Sequence, residues 1–259
     1  MLGTRYLYCG VESVQKTMPQ IRESGLGVEV FFDVTTDLWP TARWENLLQI
    51  ADEIQDAGIE AAVHGPFHNI SLGSRDPNIR LLSQQMYLAS LQFARAVHSP
   101  HMVIHSGFVP QYSPKARSKW LDQFCENIEP ILDHASELEV RIALENTYEP
   151  DTSLFEQIFE RIENPALGMC LDTGHATCFG KIDPAQWSKR FCERICHVHC
   201  SDNDGKDDLH LSLGSGVVDF RRLLQPLLGI GSLATVTFEV SPEDANDSRK
   251  YLDDVLKTL

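Results

Sequence analysis

The chain holds no C-x-x-C pair. Its seven cysteines, Cys9, Cys125, Cys170, Cys178, Cys192, Cys196 and Cys200, are odd in number and scattered. Neither a zinc ribbon nor a disulfide framework is indicated, and a reducing compartment is expected. Positive charge is scarce as well: 22 Lys and Arg face 37 Asp and Glu, a formal net charge of -15. That balance works against a nonspecific grip on phosphate backbones or anionic membranes. Bound divalent cations would cancel part of it locally, so it weighs against a nucleic-acid partner rather than forbidding one. The opening MLGTRYLYCG lacks a basic stretch followed by an apolar run, and no segment approaches the ~18 apolar residues of a membrane span. A cytoplasmic protein with no membrane partner is expected. The turn after the first strand candidate reads Cys9-Gly10-Val11-Glu12, without the G-x-G-x-x-G that a dinucleotide cofactor needs.

What is present is a regular alternation. At 259 residues, 42% of them apolar, the chain has material for a large core, and α/β barrels run about 200 to 250 residues as one unit. Eight strand candidates recur: Arg5 to Cys9, Gly27 to Phe32, Ile59 to His64, His101 to His105, Val140 to Glu145, Gly168 to Asp172, Ile195 to His199 and Thr235 to Glu239. Between them lie amphipathic helices, one presenting Leu82, Met86, Ala89, Phe93 and Val97, another Leu121, Phe124, Ile128, Ile131, Ala135 and Leu138. Helix starts are marked by Ser153 with Glu156, Asp183 before Pro184 and Ser241 before Pro242, and a helix end by Asn164-Pro165. No linker or low-complexity stretch interrupts the series. The expectation is an α/β protein, one (β/α)8 TIM barrel domain over residues 1–259; an open doubly wound sheet shares the alternation but lacks its usual fingerprint.

The chemistry-bearing residues lie at strand ends. His64, His105, Glu145, Asp172, His199 and Glu239 close six successive strand candidates, at the rim where barrel enzymes build their sites. His175 follows Asp172 by three residues, and Asp208 and His210 follow the seventh strand. A lone histidine at a strand end is commonly a hydrogen-bonded or surface residue. A run of six His or acidic closures is not expected by chance, and carboxylates crowded into one cleft become favourable when divalent ions share them. The other histidines, His68, His98, His101, His134 and His197, read as caps, surface or support. Of these His197 shares a strand face with His199 and sits where it could orient a ligand from one layer below.

These residues carry a family resemblance. The stretches His64-Gly65-Pro66-Phe67, Val103-Ile104-His105-Ser106-Gly107, Ala143-Leu144-Glu145-Asn146, Leu171-Asp172-Thr173-Gly174-His175, His199-Cys200-Ser201-Asp202-Asn203 with Asp208-Leu209-His210, and Phe238-Glu239 resemble the successive motifs of the xylose isomerase-like barrel superfamily. The match spans almost the whole chain. That superfamily unites endonuclease IV-type AP endonucleases with sugar and sugar-phosphate isomerases and epimerases. The resemblance implies an epimerase metal set on Glu145, Asp172, His199 and Glu239, with the two glutamates also moving protons. It implies as well the larger, three-zinc set of endonuclease IV on all nine positions: His64, His105, Glu145, Asp172, His175, His199, Asp208, His210 and Glu239. One to three divalent ions are expected, zinc or manganese foremost.

Other residues pull away from DNA. The segment Phe31-Phe32-Asp33-Val34-Thr35-Thr36-Asp37 has none of the basic and amide residues resembling the nuclease's DNA-penetrating loop, and Phe67 stands where that family usually places a tyrosine. Trp39, Phe67, Phe108, Tyr148 and Phe179 instead offer aromatic walls for a small pocket. The substrate contacts expected are Trp39, Phe67, Phe108, His175 and Lys206. The stretch Leu213-Gly214-Ser215-Gly216-Val217 reads either as a plain turn and cap or as backbone amides cradling a phosphate. Two activities fit these residues. The preferred one is an isomerase or epimerase of a small sugar or sugar phosphate, with Glu145 and Glu239 exchanging a carbon-bound proton through an enediolate; the alternative is a metal-cluster phosphodiesterase of the AP endonuclease type.

Overall fold

The computed structural model describes residues 2–33 and 44–259. The eight strands close into a parallel barrel in sequence order: β1 Arg5–Gly10, β2 Gly27–Phe31, β3 Ala61–His64, β4 His101–His105, β5 Arg141–Glu145, β6 Leu167–Asp172, β7 Ile195–Cys200 and β8 Thr235–Phe238. The expected strands are all there with small shifts. β3 starts at Ala61, β5 at Arg141, and Glu239 lies one residue past β8, although its amide still pairs with the carbonyl of Cys200.

Helices α1 Val14–Ser24, α2 Trp44–Asp56, α3 Pro77–Ala96, α4 Pro114–Glu137, α5 Ser153–Arg161, α6 Thr173–Cys178, α7 Ala185–Phe191, α8 Phe220–Gly229 and α9 Ala245–Lys257 follow the strands. None is long and apolar enough to cross a membrane. Some helix starts differ from expectation. Ser153 is the first residue of α5, its amide taken by Asp151 Oδ1 and its hydroxyl used by Arg117. Asp183 accepts the Ala185 amide at the start of α7, as its position before Pro184 implies.

Residues alternate along each strand. Met102, Ile104, Ile142, Leu144, Val198 and Val236 face the helices and join the main core, together with Met86, Phe93, Phe124 and Ile128 from α3 and α4. The opposite phase points into the barrel, where Val103, Ala143 and Cys170 form a small apolar cluster. The same phase carries His105, Glu145 and Asp172 one step further along β4, β5 and β6. The parallel register aligns these ends, pairing His105 with Glu145 and Asp172 with His199.

The long loop between β7 and α8 is organised by one carboxylate. Asp202 is buried, and its oxygens accept the amides of Asn203, Gly214, Gly216 and Val218 at 2.9–3.0 Å. The glycine-rich turn therefore has an internal anion where a phosphate would sit, which resolves the two readings of that segment in favour of a turn. A side chain at Gly216 would meet the carbonyl of Asn203 at 2.1 Å, so only glycine fits against it. Asp202 also exchanges backbone hydrogen bonds with Leu211, pinning the segment between them, which carries Asp208 and His210. Asp202→Ala leaves several amides unpaired and should cost about 3 kcal/mol, lowering the melting temperature by roughly 6–12 °C. A melting shift within about 2 °C of wild type, measured by calorimetry, would contradict this account of the loop.

Candidate metal centre

The nine residues expected at the rim converge. His64, His105, Glu145 and Asp172 are the last residues of β3, β4, β5 and β6; His199 is next to last in β7 and Glu239 follows β8. His175 sits in the first turn of α6, whose start is capped by Asp172: Oδ1 accepts the His175 amide at 2.6 Å. Asn146 clamps Asp172 further, accepting its amide and donating to its carbonyl. His210 adopts the left-handed backbone region, φ 49°, which is uncommon for a residue with a side chain and marks a position held by its surroundings.

Glu145 lies at the centre. Its Oε2 is 3.2 Å from His64 Nε2, 3.2 Å from His105 Nε2 and 3.4 Å from His199 Nδ1, and its Oε1 is 3.0 Å from His175 Nδ1. Asp208 Oδ2 joins the other side, 3.2 Å from His175 Nε2 and 3.0 Å from His210 Nε2. Glu239 Oε1 stands 3.2 Å from His199 Nδ1. Ring orientations are set by backbone carbonyls: His64 Nδ1 by Gly65 at 2.7 Å and His210 Nδ1 by Glu239 at 3.0 Å.

Charge is unevenly shared. Burial opposes ionisation of Glu145, yet His105 and His199 hold its carboxyl well below the usual range. Burial pushes Asp172 up to about 7, with repulsion from Glu239 and Glu145 adding to it. His210 is raised to about 9, chiefly by its hydrogen bond to Asp208. Burial lowers the basicity of His175 and His199, but Asp172 and Asp208 around His175, and Cys170, Glu239 and Glu29 around His199, outweigh it and raise both. His105 is lowered by burial.

The donors fit divalent cations. Three overlapping groups bring their ligand atoms within 4.8 Å of one another: His64, His105 and Glu145; Glu145, Asp172 and His175; Asp172, His199 and Glu239. Asp172 Oδ2, His199 Nδ1 and Asp208 Oδ1 are buried without a hydrogen-bond partner, the condition a bound cation relieves. The mixed nitrogen and oxygen donors are of the kinds that bind divalent metal ions.

Of the expected substrate contacts, Phe67 and Phe108 line a cleft of about 380 Å³ with His105, Gly107, Thr147 and Tyr148. The Phe67 ring lies 5.1 Å from that of His105, and the Phe179 ring 5.6 Å from that of His175. Lys206 is exposed in a bend of the loop between β7 and α8. Trp39 lies outside the described residues. His68 is at the surface beside Asp33, and His134 on α4. Sequence reasoning missed Glu29, a fully buried carboxylate in mid-β2 that reaches His199 from below. Its signal was an acid flanked by Val28 and Val30 inside a strand with no solvent-facing side.

Fold and cluster together define a barrel whose mouth gathers groups of His, Asp and Glu that could hold a metal ion. The model of the xylose isomerase-like TIM barrel matches residues 20–256, and the chain belongs to that family. It is 27% identical to a probable endonuclease 4 of Mycobacterium leprae, over 78% of this chain and 81% of that protein. The TTHB071 protein from Thermus thermophilus, solved after soaking with zinc chloride, superposes with a TM-score of 0.83 at 28% identity, covering 98% of each chain. A D-tagatose 3-epimerase-like protein superposes with a TM-score of 0.86 at 25% identity, covering 98% of this chain and 97% of that one.

Zinc loading at pH 7 should release protons. The raised His175, His199 and His210 are protonated before the ion arrives, and Asp172 is near its midpoint. Calorimetric titrations in buffers of different ionisation enthalpy should show about two or more protons released per chain, with affinity falling as pH drops from 8 to 5. Binding with no buffer dependence, or no zinc binding, would count against the cluster.

Proposed function

We propose that the chain is a metal-dependent hydrolase that cleaves a phosphoester of a small molecule, through a centre of up to three divalent ions held by the nine rim residues. The observation that carries this reading is the carboxylate of Glu145, met by four imidazole nitrogens within 3.4 Å. A carboxylate with imidazoles on both oxygens would hold divalent ions together with those rings. When bound, divalent ions supply an activated water near neutral pH and positive charge for an in-line displacement.

The chain's own residues do the rest. Asp208 fixes the rings of His175 and His210 from their Nε2 atoms, while the carbonyls of Gly65 and Glu239 fix His64 and His210 from the other nitrogen. Phe67, Phe108 and Tyr148 wall a cleft in the size range of a small ligand, about 300–1,000 Å³, beside His105. With a net charge of -15, a small phosphorylated substrate such as a sugar phosphate suits this surface better than a duplex. Phe67, Phe108, His175 and Lys206 are the substrate contacts we propose, with Trp39 from the segment outside the described residues.

The preference drawn from sequence, an isomerase or epimerase, needs Glu145 and Glu239 free to take and return a carbon-bound proton. The aromatic cleft and the epimerase-like structural relative favour it as the second reading. Against it, His64 and His105 both rest on Glu145 Oε2, which leaves that carboxylate less free to reach a carbon-bound proton.

The two readings separate in one experiment. Zinc- or manganese-loaded protein is incubated in deuterated water with ketoses and ketose phosphates, and in parallel with small phosphodiesters, phosphomonoesters and an abasic duplex. The expected result is phosphoester cleavage that falls by about a hundredfold or more in His64→Ala and His210→Ala, without hydrogen exchange at carbon. Exchange that vanishes in Glu239→Gln, with no cleavage of any ester, would establish the isomerase instead.

A further inference from the structure

The barrel interior beneath the rim is polar on one side. Glu29, His101, His197 and Thr237 are all buried there, and Thr235 lies at its foot. We infer that Glu29 is a positioning residue of the metal centre: it holds the N–H of His199 on Nε2, so that Nδ1 is the nitrogen facing the cation groups and the one left bare when its proton is displaced. This rests on the reading of the rim as a metal centre.

Glu29 is fully buried in mid-β2, where an isolated carboxylate would be strongly disfavoured. It is satisfied by three donors. His199 Nε2 lies 2.9 Å from Oε1, while His197 Nε2 and the Thr237 hydroxyl each lie 2.8 Å from Oε2. His197 is locked in turn, because its Nδ1 is 2.7 Å from the Thr235 hydroxyl. Both nitrogens of His197 are thus engaged, which leaves it donating Nε2–H to Glu29 and accepting at Nδ1.

The consequence falls on His199. With Nε2 committed to Glu29, Nδ1 stands 3.2 Å from Glu239 Oε1, 3.4 Å from Glu145 Oε2 and 3.8 Å from Asp172 Oδ2, and makes no hydrogen bond. A ring nitrogen facing three carboxylates in the dry interior is favourable only with positive charge between them. Glu29 therefore selects the tautomer, fixes the ring plane and adds a balancing negative charge from a strand that contributes no rim ligand. A ligating imidazole backed by a carboxylate is a general device for raising ligand strength.

The test compares two substitutions in the full chain. Glu29→Gln keeps the shape but removes the charge and the paired acceptors. Thr235→Val breaks the contact one step further down and leaves Glu29 on His199. Zinc affinity, read by competition with a chromophoric chelator, should weaken about ten- to a hundredfold in Glu29→Gln and stay within about threefold of wild type in Thr235→Val. Zinc-loaded wild type labelled with nitrogen-15 histidine should show His199 coordinated through Nδ1, with a slowly exchanging proton on Nε2. That spectrum decides the matter even if Glu29→Gln does not fold. Wild-type affinity in Glu29→Gln, equal losses in both variants, or coordination of His199 through Nε2 each overturn the inference while leaving a metal centre in place. A wild type that binds no zinc overturns the centre and the inference together.

Discussion

Four carboxylates and five imidazoles meet at the mouth of this barrel, most of them buried, and groups of like charge cannot stand together there unless positive charge is shared among them. Much of the local structure follows from that constraint. Glu145 stays ionised because imidazoles surround it, Asp172 is driven toward its protonated form, and His175, His199 and His210 become better bases than free histidine. Such a balance is poor for packing alone. It suits a site that exchanges protons for divalent cations.

The scaffold delivers the groups by register. Parallel pairing around a closed barrel brings the ends of β3 to β8 to one level, so single residues far apart in sequence become neighbours without long side chains having to stretch. The two groups that do not come from strand ends are held by buried anions of their own. Asp172 both faces the site and caps the helix that carries His175, while Asp202 gathers the amides of the loop that carries Asp208 and His210. Below the rim, Glu29 joins β2 to β7 and β8 through His197, His199 and Thr237. Even β2, which carries no rim residue, is thereby tied to the site.

The strands were legible because each is an apolar run that stops at a chemistry-bearing residue, and the rim was legible for the same reason. Glu29 was not, because it interrupts β2 rather than ending it; strict alternation from Gly27 would have placed it inside the barrel, but only closure shows what it faces. The glycine-rich turn after Ser212 was ambiguous since its natural partner, Asp202, lies more than ten residues earlier and meets it only through the folded loop. The start of α5 lies one residue earlier than a cap at Ser153 implies, because Asp151 accepts the amide of Ser153 itself and Ser153 becomes the first helical residue. In each case the deciding contact is distant in sequence or depends on backbone geometry that residue type does not specify.

The sharing of donors has a further consequence. Glu145 belongs to two of the overlapping ligand groups, Asp172 to two, and His175 touches both Glu145 and Asp208. If the rim holds ions as proposed, subsites built this way would not fill as independent equilibria. Glu145, used with His64 and His105, would be less available to Asp172 and His175, and loss of a proton from one imidazole would alter the next. Occupancy should therefore be cooperative or anticooperative, and a partly loaded chain is a distinct chemical species rather than a diluted form of the full one.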